Sequence, residues 1–168
     1  SILLFVLIGT VLTLILQSSS ATMALTLVMV NEGWISYEVG AAMVLGENIG
    51  TTVTANIAAA VGDVNGKRAA IAHTLFNVFG VTWVLILFNP FLLLNRTIAG
   101  FLGEFNPLIG LSLFHSLFNA TNTMILVWFI PTIERVVTKI IPDRKAKRDK
   151  TRLRYISGGP VATPELGA

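Results

Sequence analysis

Apolar and polar positions fall into long runs along this chain rather than into short alternations. Ile2 to Leu16 carries no charge and reads as one apolar helix that stops at Gln17-Ser18-Ser19-Ser20. Ala21 to Val30 resumes the apolar pattern until the turn signal Asn31-Glu32-Gly33. Val39 to Leu45 and Val53 to Val61 are short apolar halves flanking the run from Gly46 to Thr52, and Gly62-Asp63-Val64-Asn65-Gly66 closes the second half as a turn. Ala69 to Leu94 and Pro107 to Ile130 are each long enough for a full bilayer crossing, which takes about 20 residues. After Pro131 the pattern turns amphipathic, and from Ile141-Pro142 onward it becomes basic.

The two small polar runs are the informative part of this pattern. In lipid, an unsatisfied backbone amide or carbonyl costs several kcal/mol, so polar interruptions at membrane depth persist where protein buries them or a polar cavity receives them. The fold expected is therefore all-α and integral to the membrane, with a re-entrant helical hairpin, a discontinuous helix and two transmembrane helices. The hairpin spans Ile2 to Val30 with its tip at Gln17 to Ser20, and is preferred to one kinked crossing because each arm is short for a full span. The discontinuous helix breaks at Gly46 to Thr54. Residues 1–141 are expected to form the membrane domain and 142–168 a basic cytoplasmic tail.

Composition agrees with a bilayer setting. Of the 168 residues, 54% are hydrophobic and 12% charged, and the mean hydropathy is +0.75. The opening stretch lacks an initiator Met, a basic n-region and an A-x-A site, so it reads as a membrane segment whose first residue is a cut rather than as a signal peptide. Cysteine is absent, which excludes disulfide and thiolate chemistry within the chain. The formal charge of +3 is concentrated in the tail, because only Lys67, Arg68 and Arg96 are basic ahead of Arg135. Nucleic-acid binding would need basic residues interleaved with stacking aromatics, and the tail offers Tyr155 alone. With the basic tail on the cytoplasmic side, the Lys67-Arg68 loop falls inside while the loops at Asn31–Glu38 and Asn95–Glu104 fall outside.

Candidate chemistry sits in the two polar runs. Hydroxyl and amide oxygens are neutral hard donors suited to an alkali cation, while hydroxyl and backbone N–H groups donate to an oxyanion. Ser18 to Ser20 are placed to cap the second hairpin arm, and Thr51 and Thr52 to open the second half of the broken helix, so that two positive helix ends converge on one anion. Gly46 and Gly50 would permit the unwound backbone. Glu47 is a carboxylate inside a membrane segment, which makes it a functional candidate as a cation partner or a protonatable group. A repeat, His73-Thr-Leu-Phe-Asn77 and His115-Ser-Leu-Phe-Asn119, puts His and Asn on one helix face, and hydrogen bonding between packed helices is its expected role. An intramembrane serine hydrolase is the alternative of a different class. It lacks a G-x-S-x-G elbow around Ser18 to Ser20 and an Asp in the membrane segments to orient a His, so no enzyme is expected.

Three stretches taken in order, Gln17-Ser-Ser-Ser-Ala21, Gly46-Glu-Asn-Ile-Gly-Thr-Thr-Val-Thr54 and Arg68-Ala-Ala-Ile-Ala-His-Thr-Leu-Phe-Asn77, closely resemble the type II sodium/phosphate cotransporter family, in the second of its two inverted repeats. The resemblance implies sodium-coupled symport of inorganic phosphate, with Na+ co-transported and no organic cofactor. By motif it implies Gln17, Ser18, Thr51 and Thr54 as sodium ligands. Ser19, Ser20, Asn48 and Thr52, with Glu47 and Gly50 in the same stretch, are implied as phosphate-facing or shared positions. Glu47 departs from the family, since some relatives have Ser there. The resemblance also implies a multi-pass protein of the inner or plasma membrane with a cytoplasmic C-terminal tail. Lys150-Thr-Arg-Leu-Arg-Tyr155 and Thr163-Pro-Glu-Leu166 then resemble the connection to a PhoU-like regulatory domain of bacterial members. The family pattern has two Q-S-S-S elements and this chain has one. The inverted counterpart is expected from the same parent polypeptide, with a homodimer of two copies in dual topology as the alternative. Another small oxyanion on the same scaffold is the alternative substrate.

Overall fold

The structure, a computed structural model, describes residues 1–101 and 103–143. Among them every regular element is helical: α1 (Ile2–Leu16), α2 (Ser19–Asn31), α3 (Tyr37–Ala59), α4 (Val64–Ile86), α5 (Phe88–Gly100), α6 (Pro107–Leu126), a 3-10 turn (Val127–Phe129) and α7 (Ile130–Ile140). Two stretches are long and apolar enough to cross a membrane, Val64–Ile86 and Pro107–Ile140. The tail expected from residue 142 lies, apart from Pro142 and Asp143, outside the described residues, as do the Lys150–Tyr155 and Thr163–Leu166 stretches.

Local chemistry sets the helix ends. Gln17 takes a left-handed conformation (φ 50°, ψ 27°) and its N–H closes on the Thr13 carbonyl at 2.7 Å, which stops α1. Ser18 is extended, and its Oγ accepts from the Ala21 N–H at 3.2 Å to cap α2. Asp63 caps α4 through the Gly66 N–H at 2.7 Å, and Asn106 caps α6 with Pro107 following it.

The reversal at Gln17-Ser18 folds α1 and α2 into a helical hairpin against α3. Along α1, Gly9 lies on Met43 and Thr13 on Gly50, so α1 runs parallel to α3. Along α2, Thr26 meets Glu47 and Val30 meets Gly40, so α2 runs back the other way. The α1–α3 approach is very close. A Cβ on Gly46 would stand 2.0 Å from the Val6 carbonyl oxygen, and one on Gly9 would stand 2.2 Å from the Met43 oxygen. Gly46 and Gly50 form a G-x-x-x-G pair that lets backbones touch, and Thr10 Oγ1 donates across the contact to the Gly46 carbonyl at 3.0 Å.

That packing corrects the expected discontinuous helix: α3 is unbroken from Tyr37 to Ala59. Its polar residues are satisfied without unwinding. Thr51 Oγ1 donates to the Asn48 carbonyl at 2.8 Å, Thr52 Oγ1 to Ile49 at 2.8 Å and Thr54 Oγ1 to Thr51 at 2.9 Å. Asn48 Nδ2 likewise donates to the Val44 carbonyl at 2.9 Å. Hydroxyl and amide side chains bond back to their own helix, and the glycines serve close packing rather than a break.

The expected crossing over Ala69 to Leu94 is also corrected, since it divides at Leu87 into α4 and α5. Pro90 has no N–H to offer the Ile86 carbonyl and its ring crowds that turn, so the chain changes direction. The expected outer loop at Asn95–Glu104 is shorter, because α5 continues to Gly100. Pro131 acts similarly after α6, where the helix tightens into the 3-10 turn before α7.

The core gathers Leu45, Val84, Phe91, Leu111, Phe114 and Phe118, with Phe91 set edge-on to Phe114 at 5.2 Å between ring centres. Buried amides join the helices. Asn95 faces its nitrogen to Tyr37 Oη at 2.6 Å and the Gly110 carbonyl at 2.9 Å, and its oxygen accepts from the Phe114 N–H at 2.8 Å. Asn122 Nδ2 donates to the Phe76 carbonyl at 2.9 Å, over Gly80, and Asn56 Nδ2 reaches Thr74 Oγ1 at 2.6 Å. Leu3, Leu7, Ile15, Ile57 and Trp128 are left exposed around the outside, as suits a bilayer rather than water.

Gly46→Ala is expected to force α1 off α3 and destabilise the fold by about 1–3 kcal/mol, read as a lower thermal midpoint in detergent by size-exclusion thermostability. Gly100→Ala, where an added Cβ meets nothing within 4 Å, is expected to leave that midpoint unchanged or raise it slightly.

Candidate functional site

A cavity of about 350 Å³ opens between α2, α3 and α6. Ser19 and Ser20 in the first turn of α2 line it, with Met23, Ala24 and Leu27 continuing that wall. Glu47, Asn48 and Thr51 of α3 form the second wall, and His115 of α6 the third. The hairpin turn brings the α2 N-terminus here, and the close α1–α3 crossing holds it beside the Asn48–Thr51 face.

The walls differ in polarity. At the start of α2 the Ala21 N–H is taken by Ser18 Oγ, while the N–H groups of Ser19 and Ser20 have no acceptor among the described residues, so the helix presents these two donors and a partial positive charge. On α3, the Thr51 hydroxyl hydrogen is committed to the Asn48 carbonyl and one Asn48 amide hydrogen to Val44, which leaves oxygen lone pairs facing outward. Glu47 is only 3% exposed, and its Oε1 accepts from Thr26 Oγ1 at 2.9 Å. That same hydroxyl lies 2.9 Å from the Thr22 carbonyl, and Thr22 in turn meets Thr13 at 3.3 Å. The buried Thr13, Thr22 and Thr26 hydroxyls thus lie between the hairpin and the carboxyl, linked through the Thr22 backbone carbonyl, and among the described residues Glu47 has no cationic partner.

The sequence-derived site residues separate into two groups. Ser19, Ser20, Glu47, Asn48 and Thr51 come together on the cavity. Gln17 stands exposed at the hairpin tip, Ser18 caps α2, and Gly50 is buried against Thr10 and Thr13 of α1. Thr52 is 1% exposed with its hydroxyl bonded to Ile49, and Thr54 bonds back to Thr51. Because α3 is continuous, the second half-helix end expected at Thr51-Thr52 is absent, and among the described residues α2 is the helix whose N-terminus lines the cavity.

His115 is the residue that sequence reasoning left out of the site. The interhelical bonding expected of the repeated His-Asn pairs is corrected as well. Asn77 and Asn119 each donate to the carbonyl of their own His one turn earlier, at 3.0 and 2.9 Å. The two histidines then go to different places. His73 borders an apolar groove of about 550 Å³ between α4 and α7, whereas His115 borders the polar cavity. A signal for this was present, since Leu111 and Phe118 lie four before and three after His115 and mark the buried face of α6.

The Na+/Pi-cotransporter family model matches residues 3–124, which takes in every wall of the cavity. The chain belongs to this family. Among relatives, a Bacillus subtilis protein named uncharacterized protein YqeW is 36% identical over 81% of this chain and 43% of its own length. An Escherichia coli protein named putative inorganic phosphate export protein YjbB is 28% identical over 98% of this chain and 30% of its own length. The rat sodium-dependent phosphate transport protein 2B is 37% identical over 60% of this chain and 15% of its own length. The chain thus spans less than half the length of each of these relatives. No solved structure matches it.

Within this Na+/Pi-cotransporter fold the Thr26–Glu47 contact joins hairpin to α3 at the cavity's edge. Thr26→Val is expected to strand a buried carboxyl and cost about 1–3 kcal/mol, lowering the thermal midpoint in detergent. Thr26→Ser keeps the hydroxyl and is expected to recover most of the loss.

Proposed function

We propose that the cavity between α2, α3 and α6 is half of the translocation site of a sodium-coupled phosphate transporter. The observation that carries this reading is the pairing, in one cavity of a Na+/Pi-cotransporter family chain, of a donor-bearing helix N-terminus with an oxygen-lined helix face. Phosphate is drawn to the Ser19-Ser20 end of α2, as anions are to helix N-termini. Sodium is drawn to neutral oxygens, with Thr51 as the cavity-facing member of the set Gln17, Ser18, Thr51 and Thr54. Bound sodium offsets the charge that phosphate would otherwise carry alone into the membrane interior.

In this reading the α1–α2 hairpin is re-entrant, and an inverted counterpart, with its own hairpin, completes the site from the other side. The counterpart belongs to the same parent polypeptide, and residues 1–141 are one repeat of the membrane domain. The ends of the bundle support the orientation. Arg68, at the start of α4, bonds the Ile141 carbonyl at 2.9 Å and Asp143 at 3.0 Å, so Lys67, Arg68 and Lys139 gather at one end, which is taken as cytoplasmic. The Arg96–Glu38 pair lies at the opposite end. Net phosphate flux, inward or outward, follows the combined sodium and phosphate gradients.

The transporter that carries this chain, reconstituted in liposomes, is expected to move radiolabelled phosphate when a sodium gradient is imposed. Thr51→Ala and the pair Ser19→Ala, Ser20→Ala are expected to cut the rate about tenfold or more, as loss of one or two ligand contacts does. Phosphate movement indifferent to sodium would defeat the coupling, and no phosphate movement would defeat the reading.

A further inference from the structure

The hydrogen atoms around the cavity divide it into an acceptor side and a donor side. On α3 the Thr51 hydroxyl hydrogen is spent on Asn48 and one of the two Asn48 amide hydrogens on Val44, so that wall offers the Thr51, Asn48 and Glu47 oxygens against one remaining N–H. Such a surface suits a cation and resists an anion. Donors come from the other two walls. Ser19 and Ser20 have hydroxyls with no intramolecular partner among the described residues, and their own N–H groups are left open beside the capped Ala21 N–H. On α6, the half-buried imidazole of His115 also has no hydrogen-bond partner among the described residues, although it borders the cavity. Imidazole carries an N–H in its neutral as well as its cationic form, so it can donate to an oxyanion in either.

α6 contributes no other side chain to the cavity wall. A phosphate held by the α2 end alone would keep oxygens facing α6, and the group that meets them is His115. We propose that His115 is a phosphate ligand, donating from α6 to the oxyanion held at the α2 N-terminus, and that it sets phosphate affinity while leaving the sodium-binding wall untouched. This rests on the phosphate reading of the cavity given above. The duplicated motif supplies an internal control, since His73 opens the same His-x-Leu-Phe-Asn run yet borders the α4–α7 groove instead.

The test measures phosphate KM and the sodium concentration for half-maximal rate in liposomes containing the transporter that carries this chain. His115→Ala is expected to raise phosphate KM about tenfold, the loss of one hydrogen bond to a charged group, with half-maximal sodium unchanged. His115→Phe keeps the volume but not the donor and is expected to match it, while His115→Gln keeps a donor and recovers most of the affinity. His73→Ala is expected to leave phosphate KM at the wild-type value. An unchanged KM in both His115→Ala and His115→Phe overturns the proposal, as does a shift in sodium response as large as that in phosphate. Those results leave sodium-driven phosphate transport by the wild type intact, whereas a wild type that moves no phosphate defeats the underlying reading first.

Discussion

Everything in this fold that faces the cavity depends on how closely α1 approaches α3. Gly9, Gly46 and Gly50 remove the side chains that would hold the two helices apart, and Thr10 spans the seam to the Gly46 carbonyl. In a bilayer this contact gains nothing from excluding water, so it relies on dispersion and on the match of surfaces. Its consequence is positional. With α1 pressed on one side of α3, the turn at Gln17-Ser18 can only bring α2 back along another, and the first turn of α2 arrives level with Asn48 and Thr51.

The same contact explains what was legible in the sequence and what was not. The apolar runs marked α1, α2 and α6, and the serine run marked the cap of α2, because charge-free stretches and Ser before a helix have the same meaning in any fold. Gln17-Ser-Ser-Ser was readable as a turn-back for that reason. The Gly46 to Thr52 run was misread as a break, because glycine and threonine permit two outcomes and only the neighbour decides between them. Without α1 in place, nothing shows that Gly46 must touch Val6 or that Thr51 and Thr52 will bond inward. Leu87 and Pro90 show the reverse case, where a local breaker lay inside a run that hydropathy had joined into one crossing.

Half of the candidate site was legible on similar terms. Ser19, Ser20, Glu47, Asn48 and Thr51 were found because polar residues at membrane depth are costly and so conspicuous. His115 was conspicuous too, yet its twin at His73 suggested one structural role for both. Which groove each enters depends on the neighbours of α4 and α6, and these are set by tertiary contacts such as Asn122 over Gly80. A repeated motif gives two helices the same face without giving those faces the same surroundings.

Arg68 joins the beginning of α4 to the end of α7 through the Ile141 carbonyl and the Asp143 carboxylate. These two points lie more than seventy residues apart in sequence, yet they are one mechanical piece. The two bonds hold the end of α7 against the beginning of α4. Further along α4, Thr74 is bonded to Asn56 of α3, about one and a half turns beyond Thr51 on the cavity wall. The basic end of the bundle is thereby closed by the side chain of one residue, Arg68, rather than by chain continuity.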